Sequence, residues 1–161
     1  VPGPLPRKYW NKKIYADPAY RASTGFSDNP RWINKRIIRY ADVLLMYAEC
    51  QNELDNGETC AEYIQMVRDR ASLPDREVEF AAMSKDQMRE QIAHERALEF
   101  ALEGHRFDDI VRWGWLQNPA KLAMLKTHDS EFNTYVAGRE FFSIPQAQMD
   151  LNKNLIQNSP Y

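Results

Sequence analysis

The sequence predicts a mainly α fold, a helical hairpin plus long helices with irregular loops. Three observations carry that expectation. From residue 40 to about 126, apolar residues recur every three or four positions. Asn56-Gly57, Pro74, Gly104 and Asn118-Pro119 punctuate this stretch at helix-length intervals. The opening and the tail, by contrast, mix Pro, Gly, Asn and Ser without a sustained period.

Residues 1–38 hold Tyr9, Trp10, Tyr15, Tyr20, Phe26 and Trp32, and are expected to be an irregular, aromatic-rich segment of the same domain as the helical region, residues 39–161. From Tyr40, the run Ala41, Val43, Leu44, Leu45, Met46, Tyr47 and Ala48 is apolar nearly all round, which in a helix implies burial from several sides. Asn56-Gly57 ends that helix. From Glu58, the residues Cys60, Tyr63, Ile64, Val67 and Ala71 share one stripe, and Pro74 closes an antiparallel helical hairpin. At roughly 34 residues it has the size and layout of a tetratricopeptide unit, with no second copy at a fixed period. Ser84 and Gln87 have the form of a capping box, starting a helix expected to run to Glu103 with Gly104 as its C-terminal stop. His105 to Leu116 continues with Phe107, Ile110, Val111 and Trp113 at helical intervals, and Asn118-Pro119 opens a short helix through about Lys126. Residues 127–140 read as a loop. The tail from Phe141 to Tyr161 reads as short extended pieces and turns, with one helical turn at Gln146 to Asp150.

Composition narrows the function classes. The 161 residues suffice for one domain with a real core. Twenty-one Lys and Arg nearly cancel 23 Asp and Glu, and no stretch concentrates positive charge, so nucleic acid is not an expected partner. No apolar run approaches the ~20 residues of a membrane span. The chain opens on Val-Pro-Gly-Pro rather than Met and is expected to be a fragment or processed form, any targeting segment lying upstream. Cys50 and Cys60 are too few and too poorly spaced for zinc. Across the hairpin they would sit roughly opposite each other, which fits either a disulfide or buried free cysteine.

One constellation on the long helix calls for a chemical explanation. Met88, Ile92, Glu95, Glu99 and Glu103 step by three or four residues, placing acids on the face that starts out apolar. Buried carboxylates without partners cost several kcal/mol, so cations are expected to converge on them, drawn from Arg96, Arg106, Arg112, Arg39, Arg68 and Arg70. A structural ion-pair network of Glu95, Glu99 and Glu103 with Arg96, Arg106 and Arg112 is the expected outcome, because arginine forks suit buried carboxylates. The competing reading is a glycosidase pair, Glu95 with Glu99, since i and i+4 neighbours have Cβ atoms about 5 to 6 Å apart. It is the weaker one, because such acids must flank a sugar from opposite sides. Metal chemistry lacks its ligands. His94-Glu95 begins like a zinc-protease motif, but Leu98 stands where the second His belongs, and His94, His105 and His128 are scattered. No phosphate loop or nucleophile elbow is present. No catalytic residue, metal or cofactor is therefore expected.

Four ordered blocks carry a resemblance to a known family. Arg39-Tyr40-Ala41-Asp42-Val43-Leu44-Leu45-Met46-Tyr47-Ala48-Glu49 resembles the first signature of the SusD/RagB C-terminal region. Val67-Arg68-Asp69-Arg70-Ala71 is similar to its next block. Glu95-Arg96-Ala97-Leu98-Glu99-Phe100 and Glu103-Gly104-His105-Arg106 follow, running into Asp109-Ile110-Val111-Arg112-Trp113-Gly114. Ile144-Pro145, Asn152, Gln157-Asn158 and Tyr161 resemble its ending. Asp108, where the family usually has an aromatic, Lys153 after Asn152, and Ser159-Pro160 are departures.

The resemblance implies the C-terminal part of a SusD-like α-helical fold containing tetratricopeptide units. It implies a non-enzymatic protein, lipid-anchored at the outer-membrane surface of Bacteroidetes-like bacteria, that binds poly- or oligosaccharide and delivers it to a TonB-dependent SusC-like transporter. Some relatives take peptides instead. Family members are several times longer, so the tetratricopeptide-like N-terminal portion and the anchor cysteine are expected outside this chain. Glycan recognition stacks pyranose faces on exposed rings. The candidate ligand contacts are Trp10, Tyr15, Tyr20 and Trp32, while Trp113 and Trp115 read as core.

Overall fold

The computed structural model describes Lys13, Ala19, Ser23 and residues 36–161. Among these residues the chain is mainly helical and contains no strand. The helices are α1 (Tyr40–Glu53), α2 (Gly57–Arg70), α3 (Glu77–Ala81), α4 (Lys85–Glu99), α5 (His105–Arg112), α6 (Pro119–His128) and α7 (Gln146–Leu151), with a 3-10 turn at Ser130–Thr134. The chain divides into two compact units, one ending at Leu102 and one running from Glu103 to Tyr161.

In the first unit, α1 and α2 form the expected hairpin and α4 packs on both. Residues spaced three, four and seven apart supply the core: Ala41, Leu44, Leu45 and Ala48 from α1, Cys60, Ala61, Ile64 and Val67 from α2, Met88 and Ile92 from α4. Full burial of a side chain the size of Leu, Ile or Phe stabilises by about 1.5–3 kcal/mol. The opposite side of α1, carrying Tyr40, Val43, Met46 and Tyr47, is exposed. Among the described residues of this unit, its all-round apolar character is therefore met by neighbours on one side only. The fully buried Phe80 arrives on α3, a five-residue helix between Pro74 and Ser84 that the sequence reading did not contain.

The helix ends show how local chemistry sets the elements. The capping box at the start of α4 is present: Ser84 Oγ accepts from Gln87 N, and Gln87 Oε1 accepts from Ser84 N at 2.9 Å. The helix stops at Glu99 rather than Glu103, because Phe100 turns into the core and Leu102 adopts φ 66°. Gly104, with φ 98°, is the N-cap of α5 and not the stop of α4. Three helices close in the same way. Asn56 N bonds to Gln51 O, Leu73 N to Arg68 O and Trp115 N to Ile110 O, with Asp55, Ser72 and Gly114 at positive φ just inside each closure.

That last closure ends α5 at Arg112, short of the expected Leu116, and folds Trp115 and Leu116 inward. In the second unit these two join Ile110 and Leu125 as the buried apolar residues. Helix α6 begins as read, with Pro119 in its first turn and Asn118 Oδ1 accepting from Ala120 N and Lys121 N at 3.0 and 3.2 Å. Residues 127–140 are not wholly loop, since α6 reaches His128 and the 3-10 turn follows. Helix α7 realises the single turn expected in the tail.

Candidate functional site

The described residues hold two polar constellations, one in each unit. In the first unit, α4 directs Glu95 and Arg96 inward, and both are buried. Arg68 Nη1 on α2 donates to Glu95 Oε1 at 2.7 Å, and Gln91 Nε2 donates to the same oxygen at 2.8 Å. Arg96 Nη1 donates to Asp42 Oδ1 of α1 at 2.8 Å, with side chains 5% and 8% exposed. Glu99 accepts from Arg39 Nη1 through Oε1 at 2.7 Å and from Arg70 Nη2 through Oε2. Arg39 Nη2 and Lys13 Nζ also donate to the Glu99 carbonyl, at 3.1 and 2.6 Å, where the helix end concentrates negative partial charge.

Two phenylalanines organise these cations. Arg68 and Arg76 lie over the Phe80 ring, at 5.4 and 5.0 Å from its centre, and Arg39 and Arg96 over Phe100, at 5.1 and 5.0 Å. Each of the four arginines grips a carboxylate as well, Arg76 taking Glu79. Guanidinium is suited to both demands, having a flat face for the ring and a fork for the acid. Both oxygens of Glu99 are engaged by arginine, and Glu95 is buried beneath Arg68 and Gln91. Both carboxylates stand one turn apart on a single helix, whereas a glycosidase pair flanks its sugar from opposite sides. What this geometry can do is join three helices and the segment ahead of α1.

In the second unit, Arg106 lies 4.9 Å from the centre of Trp115 and Lys121 4.5 Å, while Arg112 lies over Trp113 at 4.6 Å and donates to Asp109 Oδ1 at 2.9 Å. Burial lowers the pKa of the Arg106 guanidinium from its ordinary value, with Asp109 opposing, and its Nη1 has no hydrogen-bond partner. Further on, Glu140 gathers three donors: Gln117 Nε2 at 2.6 Å, Tyr135 Oη at 2.8 Å and Gly138 N at 2.8 Å. Burial raises the Tyr135 phenol above its usual range, and its bond to Glu140 adds to the shift.

The residues read from sequence fall as follows. Glu95 and Glu99 meet arginines, but Arg68, Arg39 and Arg70 rather than Arg96, which takes Asp42. Asp42 was not among the expected acids, and its only sequence signal is a carboxylate inside the apolar run that opens α1. Glu103 lies beyond the end of α4, so it does not continue the Glu95 and Glu99 row. Arg106 and Arg112 belong to the second unit and face tryptophans. Trp10, Tyr15, Tyr20 and Trp32 lie outside the described residues. Cys50 is exposed and Cys60 buried, both as free thiols. Burial pushes the Cys60 thiol up to about 12. Among the described residues no helix is long and apolar enough to cross a membrane, and no group of three or more His, Cys, Asp or Glu is placed to hold a metal ion.

Comparison with known proteins gives this helical chain its relatives. SusD-like protein P25 of Formosa agariphila is 37% identical over 113 residues, covering 70% of this chain and 20% of that protein. SusD-like protein P2 of the same organism is 30% identical over 137 residues, covering 76% of this chain and 25% of that protein. SusD-like protein P38 is 34% identical over 83 residues, which is 47% of this chain and 16% of that protein. The chain thus spans a quarter or less of the curated relatives it matches. No solved structure matches it. The profile of the SusD family matches residues 3–161, and with it the signature blocks on α1, α2, α4 and α5; the chain belongs to the SusD family.

Proposed function

We propose that this chain is part of a non-enzymatic surface protein that captures poly- or oligosaccharide and delivers it to a TonB-dependent SusC-like transporter in the outer membrane. In the full-length protein a lipid anchor upstream would hold it at the cell surface. Family membership over residues 3–161 is the observation that carries this reading. The first unit supports it: its inward acids are committed to arginines and serve packing rather than chemistry. The outer stripe of α1, with Tyr40, Val43, Met46 and Tyr47, is the surface that a further helical hairpin of the longer protein would cover, since one such hairpin cannot bury both faces alone. Trp10, Tyr15, Tyr20 and Trp32 are the proposed stacking contacts for sugar.

The test is a glycan and peptide array probed with the full-length protein and repeated with this chain. Selective, saturable glycan binding, weakened when Trp10 or Trp32 becomes Ala and unaccompanied by new reducing ends, is the expected result. Binding of peptides with silence on glycans would replace the ligand class. Release of reducing ends that vanishes in Glu99→Gln would overturn the non-enzymatic reading.

A further inference from the structure

The tail of the second unit presents aromatic rings on a segment that its own amide side chains hold in place. Phe142 is 91% exposed, Phe141 57% and Tyr161 52%. Asn158 ties two of them together: its Nδ2 donates to the Phe142 carbonyl at 2.8 Å, and its own carbonyl accepts from Tyr161 N at 2.9 Å. One residue earlier, Gln157 grips both backbone groups of Ile144, donating to its carbonyl at 2.9 Å and accepting from its N–H at 2.8 Å. Ser159 runs so close to Gly138 that a Cβ there would collide with the Ser159 carbonyl. Gly138 in turn donates to Glu140, which Gln117 and Tyr135 also hold. A stretch with one short helix and no strand therefore keeps a defined course. Large apolar side chains held on such a surface, rather than folded inward, mark a place of contact.

The composition of the segment that carries the rings indicates what makes that contact. Residues 143–161 contain Asn152, Asn154, Asn158, Gln146, Gln148 and Gln157, and their only charged residues, Asp150 and Lys153, face each other at 3.9 Å. Carboxamides both donate and accept hydrogen bonds, as sugar hydroxyls do. A ring face meets the C–H face of a pyranose, and neighbouring amides read its hydroxyls. We propose that this tail is a glycan-contact surface, with Phe142 and Tyr161 stacking on a neutral oligosaccharide, exposed Asn152 and Asn154 meeting its hydroxyls, and Asn158 positioning both rings. The proposal rests on the glycan-capture reading above and adds a site to it. Leu151 and Ile156 are also exposed, at 81% and 87%, and aliphatic side chains belong equally to protein interfaces. The test separates the two occupants.

Full-length protein is titrated with the neutral oligosaccharide that binds best on an array, then the Phe142→Ala, Tyr161→Ala and double variants are titrated alongside. Each single variant should lose about tenfold in affinity, the size of one ring contact, and the double variant more. Melting temperatures should stay unchanged for Phe142→Ala, whose ring packs on almost nothing. Asn158→Ala should weaken binding with both rings still present. A double variant that binds as the parent does sinks this site and leaves glycan capture standing elsewhere in the protein. A double variant that keeps its glycan but no longer associates with the transporter reassigns the tail to protein docking. A parent protein that binds no glycan removes the reading on which the site depends.

Discussion

Among the described residues of the first unit, eleven buried apolar side chains on α1 to α4 share one core with Phe100, whereas in the second unit the buried apolar side chains are Ile110, Trp115, Leu116 and Leu125. The second unit keeps its course by other means, chiefly single side chains that reach distant backbone groups, as Gln157 does to Ile144 and Asn158 to Phe142. The difference teaches where each unit is vulnerable. Damage to a shared core or to a buried charge propagates through every helix that touches it. Damage to a side-chain tie stays with the segment it holds.

The largest expected effect tests the first half of that contrast. Arg96→Ala leaves Asp42 buried without its partner and should cost roughly 3–5 kcal/mol, read as a lower midpoint in denaturant titration. Phe80→Ala should cost a similar ~3–5 kcal/mol through the cavity it opens. Replacing both charges at once, Asp42→Leu with Arg96→Met, should recover much of the loss, because no charge is stranded. A change in Arg96→Ala no larger than measurement error would show that the pair is not buried in solution.

The second half is tested at Gly138. A Cβ at φ 96° against Ser159 should cost about 1–3 kcal/mol, seen as faster hydrogen exchange across 135–161. Cys60 reports on the first unit in the same sample. Its thiol is fully buried and shifted by that burial to about 12, so a thiol reagent at neutral pH should label Cys50 and spare Cys60. If Gly138→Ala also speeds Cys60 labelling, the two units unfold together and the contrast drawn here fails. Gln157→Ala removes three hydrogen bonds, two with Ile144 and one from Asn158 N, and should cost about 1–2 kcal/mol, again confined to the tail.

The smallest expected effect concerns the exposed rim where α4 meets the end of α1. Arg89 donates to both oxygens of Glu53, at 2.7 and 2.6 Å, and this bond, more than the nearby Lys85, holds the Glu53 carboxyl below its usual value. A depressed carboxyl contributes stability that is present above the ordinary carboxylate range and is lost as pH falls through the folded value. Arg89→Ala should therefore flatten the acid side of the stability profile only slightly, since the pair is solvent-screened. An unchanged acid limb in that variant would show that the ion pair contributes nothing to the pH dependence.

How much of this was legible follows the reach of the interactions. Periodicity over fourteen residues announced α1 and α2, and the local signals Ser84 with Gln87 and Asn118-Pro119 announced the starts of α4 and α6. Five-residue α3 carries too little periodicity to see, so Phe80, and with it Arg76, went unread. The end of α4 was missed because the residue at positive φ there is Leu102, and left-handed backbone is signalled in sequence chiefly by glycine. Gly114 did carry the signal, yet the tryptophans on either side continued the apolar pattern past it. Inward acids on α4 were visible from spacing, but which arginine meets which acid was not, since Asp42 and Arg96 stand 54 positions apart.

Arg39, Arg68, Arg76 and Arg96 each lie on a phenylalanine ring while holding a carboxylate. Lysine would keep the charge but lose both the plane and the fork; glutamine or methionine would keep some of the shape and lose the charge. At the buried Arg68 and Arg96 a single change that removes the charge therefore strands a carboxylate, so acid and arginine there can be exchanged only together.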